Sequence, residues 1–233
     1  MQDKQSKSNI NFDEFTDDYN EISFKSTNFF SKDADYFAKY KIEIVREISL
    51  AEPSSILEYG CGIGRNIEYI KRYFPNAEIV ATDISSGSIE EAKKDNENIQ
   101  FYVEDPTLDK LFEAKFDLII LAGVVHHIPP VFHHEIFSKL LKRLKINGQI
   151  IIFEHNPFNP ITRKLVNNCA YDEGAVLISC SKLKKILKQN GFSIKKSGYC
   201  LFIPPNLISH SRSIERYLRH LPLGGQYWVQ AVN

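Results

Sequence analysis

Residues 56–66 read ILEYGCGIGRN, and this stretch decides the fold. A strand-like run, SSILEYG, leads straight into Gly60, Gly62 and Gly64 at every second position, with Glu58 two residues ahead of the first. Glycine has no Cβ, so three of them in five residues bare one short piece of backbone to close approach. A helix predicted over Arg65–Phe74, with Ile67, Ile70 and Phe74 on one face, follows directly. Strand, glycine turn and helix together form the opening unit of a parallel sheet whose ligands lie beyond the carboxyl ends of the strands.

The pattern extends in both directions. Upstream, Phe37, Ile44, Val45 and Ile48 recur near a 3.6-residue period, predicting a helix over 33–50 that Pro53 stops. Downstream, EIVATDI, IQFYVED, FDLIILAGV and QIIIFEH read as strands. Ser85 or Ser86 caps one intervening helix, and Pro129-Pro130 opens another, with Ile136, Phe137, Leu140, Leu141 and Leu144 inward and Asn147-Gly148 as its end. Past residue 156 the alternation loosens: a helix over Lys182–Gln189, strands over Ser193–Ile203 and Gln226–Val232, and a basic helix near 211–220. These elements predict an α/β, Rossmann-like, doubly wound and mostly parallel seven-stranded sheet, with an antiparallel last strand and helices on both faces. One domain spans 1–233: an N-terminal lid or helical segment at 1–50, a ligand-binding core at 51–156 and an elaboration at 157–233.

Composition is that of an ordinary globular chain, with 43% hydrophobic and 25% charged residues and a formal net charge of +0. Neutrality argues against nucleic acid as a partner. Residues 181–220 nevertheless carry nine basic groups against one acid, a solvated face or a wall for an anionic or lipid-linked small molecule, with peripheral membrane contact as the extreme case. No run approaches the ~18 apolar residues of a membrane span. Cys61, Cys169, Cys180 and Cys200 lack metal-binding spacing and read as reduced thiols, and the polar start MQDKQSKSNI lacks a signal-peptide core, so a cytoplasmic location is expected. No metal site is expected: His126, His127, His133 and His134 have no clear acid–histidine spacing, and the last two read as surface residues.

A dinucleotide fold would place its third glycine where Arg65 stands. The observed E-x-G-x-G-x-G spacing instead resembles the cofactor loop of class I S-adenosylmethionine-dependent methyltransferases. Asp83 in ATDIS, an acid in VEDP, the FDLIILAGVVHHI run and LKINGQIIIFE match that family's later motifs in order. The resemblance covers about residues 36–155. It implies S-adenosylmethionine as cofactor, S-adenosylhomocysteine as product and a small-molecule acceptor. Cofactor contacts then fall on Glu58, Gly60, Cys61, Gly62, Gly64, Asn66, Asp83, Ile84, Asp105 or its neighbour Glu104, Ala122 and Gly123, with Tyr19 as part of a lid.

Methyl transfer to a hydroxyl requires the acceptor to lose a proton, so a base belongs past the fourth and fifth strands. His127 ranks first there, followed by Glu154 and His155. His126, Asn156, Asn159 and Arg163 are candidate acceptor contacts, the last three in the stiff run EHNPFNPITR, where two prolines restrain the backbone. That run is similar to ones in bacterial methyltransferases associated with polysaccharide or lipid-linked sugar work. The expected reaction is methylation of an O or N atom of a small molecule. The alternatives are a non-catalytic S-adenosylmethionine-binding protein and a nicotinamide-dependent oxidoreductase.

Overall fold

A computed structural model describes residues 30–31, 35–205 and 211–233. Tyr19 and most of the expected lid lie outside the described residues. The elements are α1 (Tyr36–Ile48), β1 (Ser55–Tyr59), α2 (Ile67–Tyr73), β2 (Glu78–Asp83), α3 (Ser86–Asp95), β3 (Gln100–Val103), α4 (Leu108–Leu111), β4 (Phe116–Ala122), α5 (His133–Arg143), β5 (Leu144–His155), α6 (Pro160–Asn168), α7 (Cys180–Gln189), β6 (Ser193–Cys200), α8 (Ser211–Leu218) and β7 (Gln226–Val232).

The seven strands form one sheet in the order β3-β2-β1-β4-β5-β7-β6. β1 pairs in parallel with both β2 and β4, so chain direction through the sheet reverses between β1 and β4. β7 runs antiparallel between β5 and β6. Side chains alternate across the strands, as period-2 geometry requires. Ile56, Ile120, Ile151 and Phe153 pack on one face with Ile42 and Val45 of α1 and Ile70 of α2. Leu57, Ile119, Ile150 and Ile152 pack on the other with Phe137 and Leu140 of α5 and Leu183 of α7. Burial on both faces explains why β4 is apolar almost throughout.

Two expectations are corrected. The helix after Pro129-Pro130 ends at Arg143, and Leu144 already belongs to β5, opposite Phe116. The register then jumps to Leu118–Gln149, so residues 145–148 bulge out and leave Ile146 88% exposed. Asn147-Gly148 is therefore a turn inside β5. Asn147 takes φ 65°, and a Cβ on Gly148 would lie 2.8 Å from the Lys145 carbonyl. His133 is buried rather than on the surface, because its Nε2 bonds the Ile128 carbonyl at 3.0 Å; His134 is exposed as expected.

Candidate active site

The carboxyl ends of β1, β2, β4 and β5 open onto one cavity of about 530 Å³. Gly60–Gly62, Asp83 and Ile84 form one wall. His126, His127, His155, Asp172 and the inner face of α6 form the other. Ala122 and Gly123, at the end of β4, lie between them.

Each glycine of the loop has a left-handed backbone but a different neighbour. A Cβ on Gly60 would come 2.5 Å from Val124, and one on Gly64 would come 2.8 Å from Asn96 and 3.1 Å from Ala92 of α3. Those two glycines permit tight packing of protein on protein. A Cβ on Gly62 would meet nothing within 4 Å, so only this one faces open space. Three of the loop's donors bond the loop or β2: Gly60 and Cys61 N–H bond the Thr82 carbonyl at 2.8 and 2.9 Å, and Gly64 N–H bonds the Cys61 carbonyl at 3.0 Å. Gly62 N–H bonds Asp83 Oδ2 at 2.8 Å, while Ser85 N–H bonds Asp83 Oδ1 at 3.0 Å. Burial raises the proton affinity of Asp83, and these N–H groups oppose it.

Glu58 closes the loop from below. Its Oε1 accepts from Asn66 Nδ2 at 2.6 Å, and its Oε2 is buried with no hydrogen-bond partner among the described residues. Burial pushes this carboxyl up to about 7. Cys61 lines the cavity, and burial raises its thiol well above the ordinary range, so it acts as a small packing residue.

At the end of β3 the structure separates the two acids. Asp105 is exposed and outside the cavity lining; its Oδ1 accepts from Thr107 N–H at 2.6 Å, closing a turn. Glu104 lines the cavity instead, held bidentately by buried Arg143 at 2.7 and 3.1 Å.

The histidine wall is a hydrogen-bonded chain. Glu154 is buried, and its Oε1 accepts from Val124 and Val125 N–H at 3.1 and 2.6 Å, fixing the turn after β4. Its Oε2 meets His126 Nδ1 at 2.6 Å, and His126 Nε2 meets Asp172 Oδ1 at 3.2 Å. Both ring nitrogens of His126 therefore face carboxylates, which demands the doubly protonated ring. Burial works against that charge, but the two carboxylates outweigh it and raise His126 to about 9. His126 in turn keeps Glu154 and Asp172 below their ordinary values despite burial. His127 Nε2 lies 3.5 Å from the same Asp172 oxygen. Burial first, and the His126 charge second, lower both His127 and His155 to about 4. Ligand atoms of His126, His127 and Asp172 lie within 4.8 Å of one another, a cation-sized cluster, yet His126 in this form has no lone pair left to offer a metal.

The stiff run after β5 acts chiefly as a clamp. Asn156 is buried outside the cavity lining, and its Nδ2 donates to the Pro222 and Gly224 carbonyls at 3.0 and 2.8 Å. Asn159 caps α6 by accepting from Thr162 N–H at 3.0 Å, and it donates to the Leu223 carbonyl at 2.7 Å. Asn159 does line the cavity, with Ile161, Thr162, Leu165 and Val166 of α6 beside it. Arg163 is exposed and faces away. Glu154 likewise sits behind the lining, bonded to the lining residues His126 and Val124.

Two polar lining residues, Asp172 and Lys41, are among those the sequence reading does not single out. Asp172 lies in a 3₁₀ turn far from any strand end, and nothing local marks it. Lys41 carried a readable signal. It falls four residues after Phe37 and four before Val45, on the apolar stripe of α1, where a lysine is out of place.

A family model described as a methyltransferase domain matches residues 56–148. An uncharacterised protein of Rickettsia prowazekii is 28% identical over 181 residues, covering 72% of this chain and 32% of its own. A malonyl-[acyl-carrier protein] O-methyltransferase of Priestia megaterium is 35% identical over 98 residues, covering 42% and 35%. The chain spans about a third to a half of the length of the curated relatives it matches. Among solved structures, an S-adenosylmethionine-dependent methyltransferase from Archaeoglobus fulgidus superposes with a TM-score of 0.65 at 20% identity, covering 90% of this chain and 99% of that one. No helix among the described residues is long and apolar enough to cross a membrane.

Proposed function

From the methyltransferase-domain match over residues 56–148 we propose that the chain is a class I S-adenosylmethionine-dependent methyltransferase that methylates a hydroxyl oxygen of a polar small molecule. One observation carries the reading: a glycine-loop wall and a histidine–aspartate wall face each other across a single cavity. The residues fit the cofactor on two counts. Gly62 leaves open space at the loop, and Asp83 lines the cavity beside it. The Gly60–Gly62 loop would hold the methionine end, and Asp83 would hold the ribose, its carboxylate keeping lone pairs beyond the two it uses. Glu104 and Ile84 flank the adenine side, in place of Asp105. When bound, the cofactor supplies a methyl group on a sulfonium, with a neutral thioether as leaving group.

The chain's own residues align the acceptor and handle its proton. His127 is neutral at pH 7 and takes the hydroxyl proton. Asp172, beside its Nε2, orients the ring and accommodates the charge that forms. Glu154 and His126 act one step back, as positioning residues that hold Asp172 and the turn in place. Asn159 and Thr162 offer hydrogen bonds to further hydroxyls, while Leu165, Val166 and Phe202 offer an apolar surface. A sugar, free or lipid-linked, carries both kinds of group, which supports that acceptor class.

S-adenosylhomocysteine is expected to raise the thermal midpoint, and NADH is not. At about 100 times Kd the stabilisation is ~2.7 kcal/mol. A rise with NADH alone removes the cofactor reading. Asp83→Ala is expected to weaken cofactor binding by ~1.5–3 kcal/mol, the worth of a hydrogen bond to a charged group. Unchanged affinity in calorimetry would leave Asp83 as only a loop tie between Gly62 and Ser85. Transfer of labelled methyl groups to hydroxyl and amine acceptors, compared side by side, tests the reaction itself.

A further inference from the structure

Phe158 and Leu223 are large apolar side chains, each 66% exposed, on two turns that are tied to one another. Asn159 donates to the Leu223 carbonyl at 2.7 Å, and buried Asn156 holds the carbonyls on either side of it, those of Pro222 and Gly224. Thr162 Oγ1 adds a bond to the Gly225 carbonyl at 2.9 Å. Side chains at the start of α6 thus clamp the whole 222–225 turn, yet the apolar tips so fixed point outward. Ile161 and Leu221, 57% and 46% exposed, extend the same surface. Ile161 also lines the cavity, so the surface runs over its rim onto the apolar wall of Leu165, Val166 and Phe202. Single exposed apolar residues need no explanation, but a stiff group of them continuous with a pocket marks a surface that meets a partner.

Charge selects the partner. Residues 156–171 and 216–233 contain no Asp or Glu. Lys164 lies three residues after Ile161, on the same side of α6, and it is exposed, as is Arg163 beside it. Next to Leu221, His220 is exposed, and Arg216 and Arg219 share the single carboxylate of Glu47 at 3.2 and 3.1 Å, so one positive charge is left over. The rim is therefore apolar at its tips and basic around them. An anionic lipid leaflet has the matching layers, phosphate headgroups outside and acyl chains beneath, and apolar tips reach the second while the cations stay at the first.

We propose that this rim docks on an anionic bilayer, with Phe158 and Leu223 entering the boundary between headgroups and acyl chains and Arg163 and Lys164 meeting lipid phosphates. The cavity then opens toward the membrane. Docking itself needs no methyl transfer; its use, to pass a lipid-linked acceptor along Ile161 into the cavity, rests on the acceptor reading above.

Co-sedimentation of the full chain with vesicles of phosphatidylcholine alone, and of phosphatidylcholine and phosphatidylglycerol in equal parts, tests the docking. Wild type is expected to bind the mixed vesicles about tenfold or more tightly than phosphatidylcholine, and to release them as salt is raised. Phe158→Ser combined with Leu223→Ser is expected to weaken binding to the mixed vesicles by about tenfold or more, and Lys164→Glu by about five- to thirtyfold. All three side chains are exposed and outside the cavity lining, so thermal midpoint and S-adenosylhomocysteine affinity are expected to stay at the wild-type values, the midpoint reporting that each variant is folded. No binding of wild type to the mixed vesicles, or equal binding to both kinds, would overturn the proposal. Wild-type binding by the double variant would do so too, by moving the contact elsewhere. A wild-type dimer in sedimentation velocity that the double variant loses would assign the face to a second copy of the chain instead. Docking without transfer of labelled methyl groups to any lipid-linked acceptor would keep the membrane site and remove that acceptor class.

Discussion

His127→Ala is expected to lower turnover by about 10²–10⁴-fold while S-adenosylhomocysteine affinity stays at the wild-type value. The size follows from what a positioned base contributes to proton transfer. The selectivity follows from geometry: His127 lines the wall opposite the glycine loop, and its tie is to Asp172. With its proton affinity lowered to about 4, His127 is neutral across the physiological range, so activity is expected to fall only on the acid side. Asp172→Asn is expected to move that acid limb lower, because an amide no longer stabilises the imidazolium, and to lower turnover rather than raise KM. If the acceptor is an amine, the His127→Ala effect shrinks and vanishes at high pH, where the amine is already neutral. Full activity of His127→Ala on a hydroxyl acceptor at every pH would leave alignment alone as the catalytic device.

Glu154→Ala is expected to lower unfolding free energy by about 3–5 kcal/mol, as seen when one partner of a buried ion pair is removed. Three contacts are lost together: the His126 ring and the N–H groups of Val124 and Val125. His126 is 2% exposed, so water does not replace the missing carboxylate. The same cluster contributes to the pH dependence of stability. His126 has a raised folded value of about 9, so its contribution is complete below ~6.5 and is lost as pH rises through 9. Glu154 and Asp172 have lowered values, so their contributions are present above the unfolded range near 4 and are lost as pH falls. His127 and His155 are buried neutral with values near 4, so protonation of the unfolded chain costs stability from ~6.5 downward. Maximum stability is thus expected near neutrality. Chemical denaturation from pH 5 to 9 checks this, and in Glu154→Ala the decline above pH 7 should flatten. A wild-type-like alkaline decline in that variant would show that His126 is not the group responsible.

Local order along the chain carried the fold. Alternating strand and helix periods, three glycines after the first strand and the apolar run of β4 are short-range signals, and they demand a parallel sheet wherever both faces must be covered. The same holds for the capping of α3 by Ser85, whose partner Ser88 lies three residues on. The bulge in β5 was not legible, because Asn-Gly after a helix reads equally as a cap; only pairing with Phe116 places Leu144 in the sheet. The roles within the active site were settled further still from the sequence. Which of Glu104 and Asp105 faces the cavity depends on Arg143, thirty-eight or more residues away. Which of the paired histidines is clamped and which is left at the cavity depends on Glu154 and Asp172, arriving from β5 and from a turn beyond α6. Strand pattern follows from the burial of one chain segment against its neighbours and is written locally. Charge state and orientation follow from ions brought together across the sheet, and only the tertiary structure decides those.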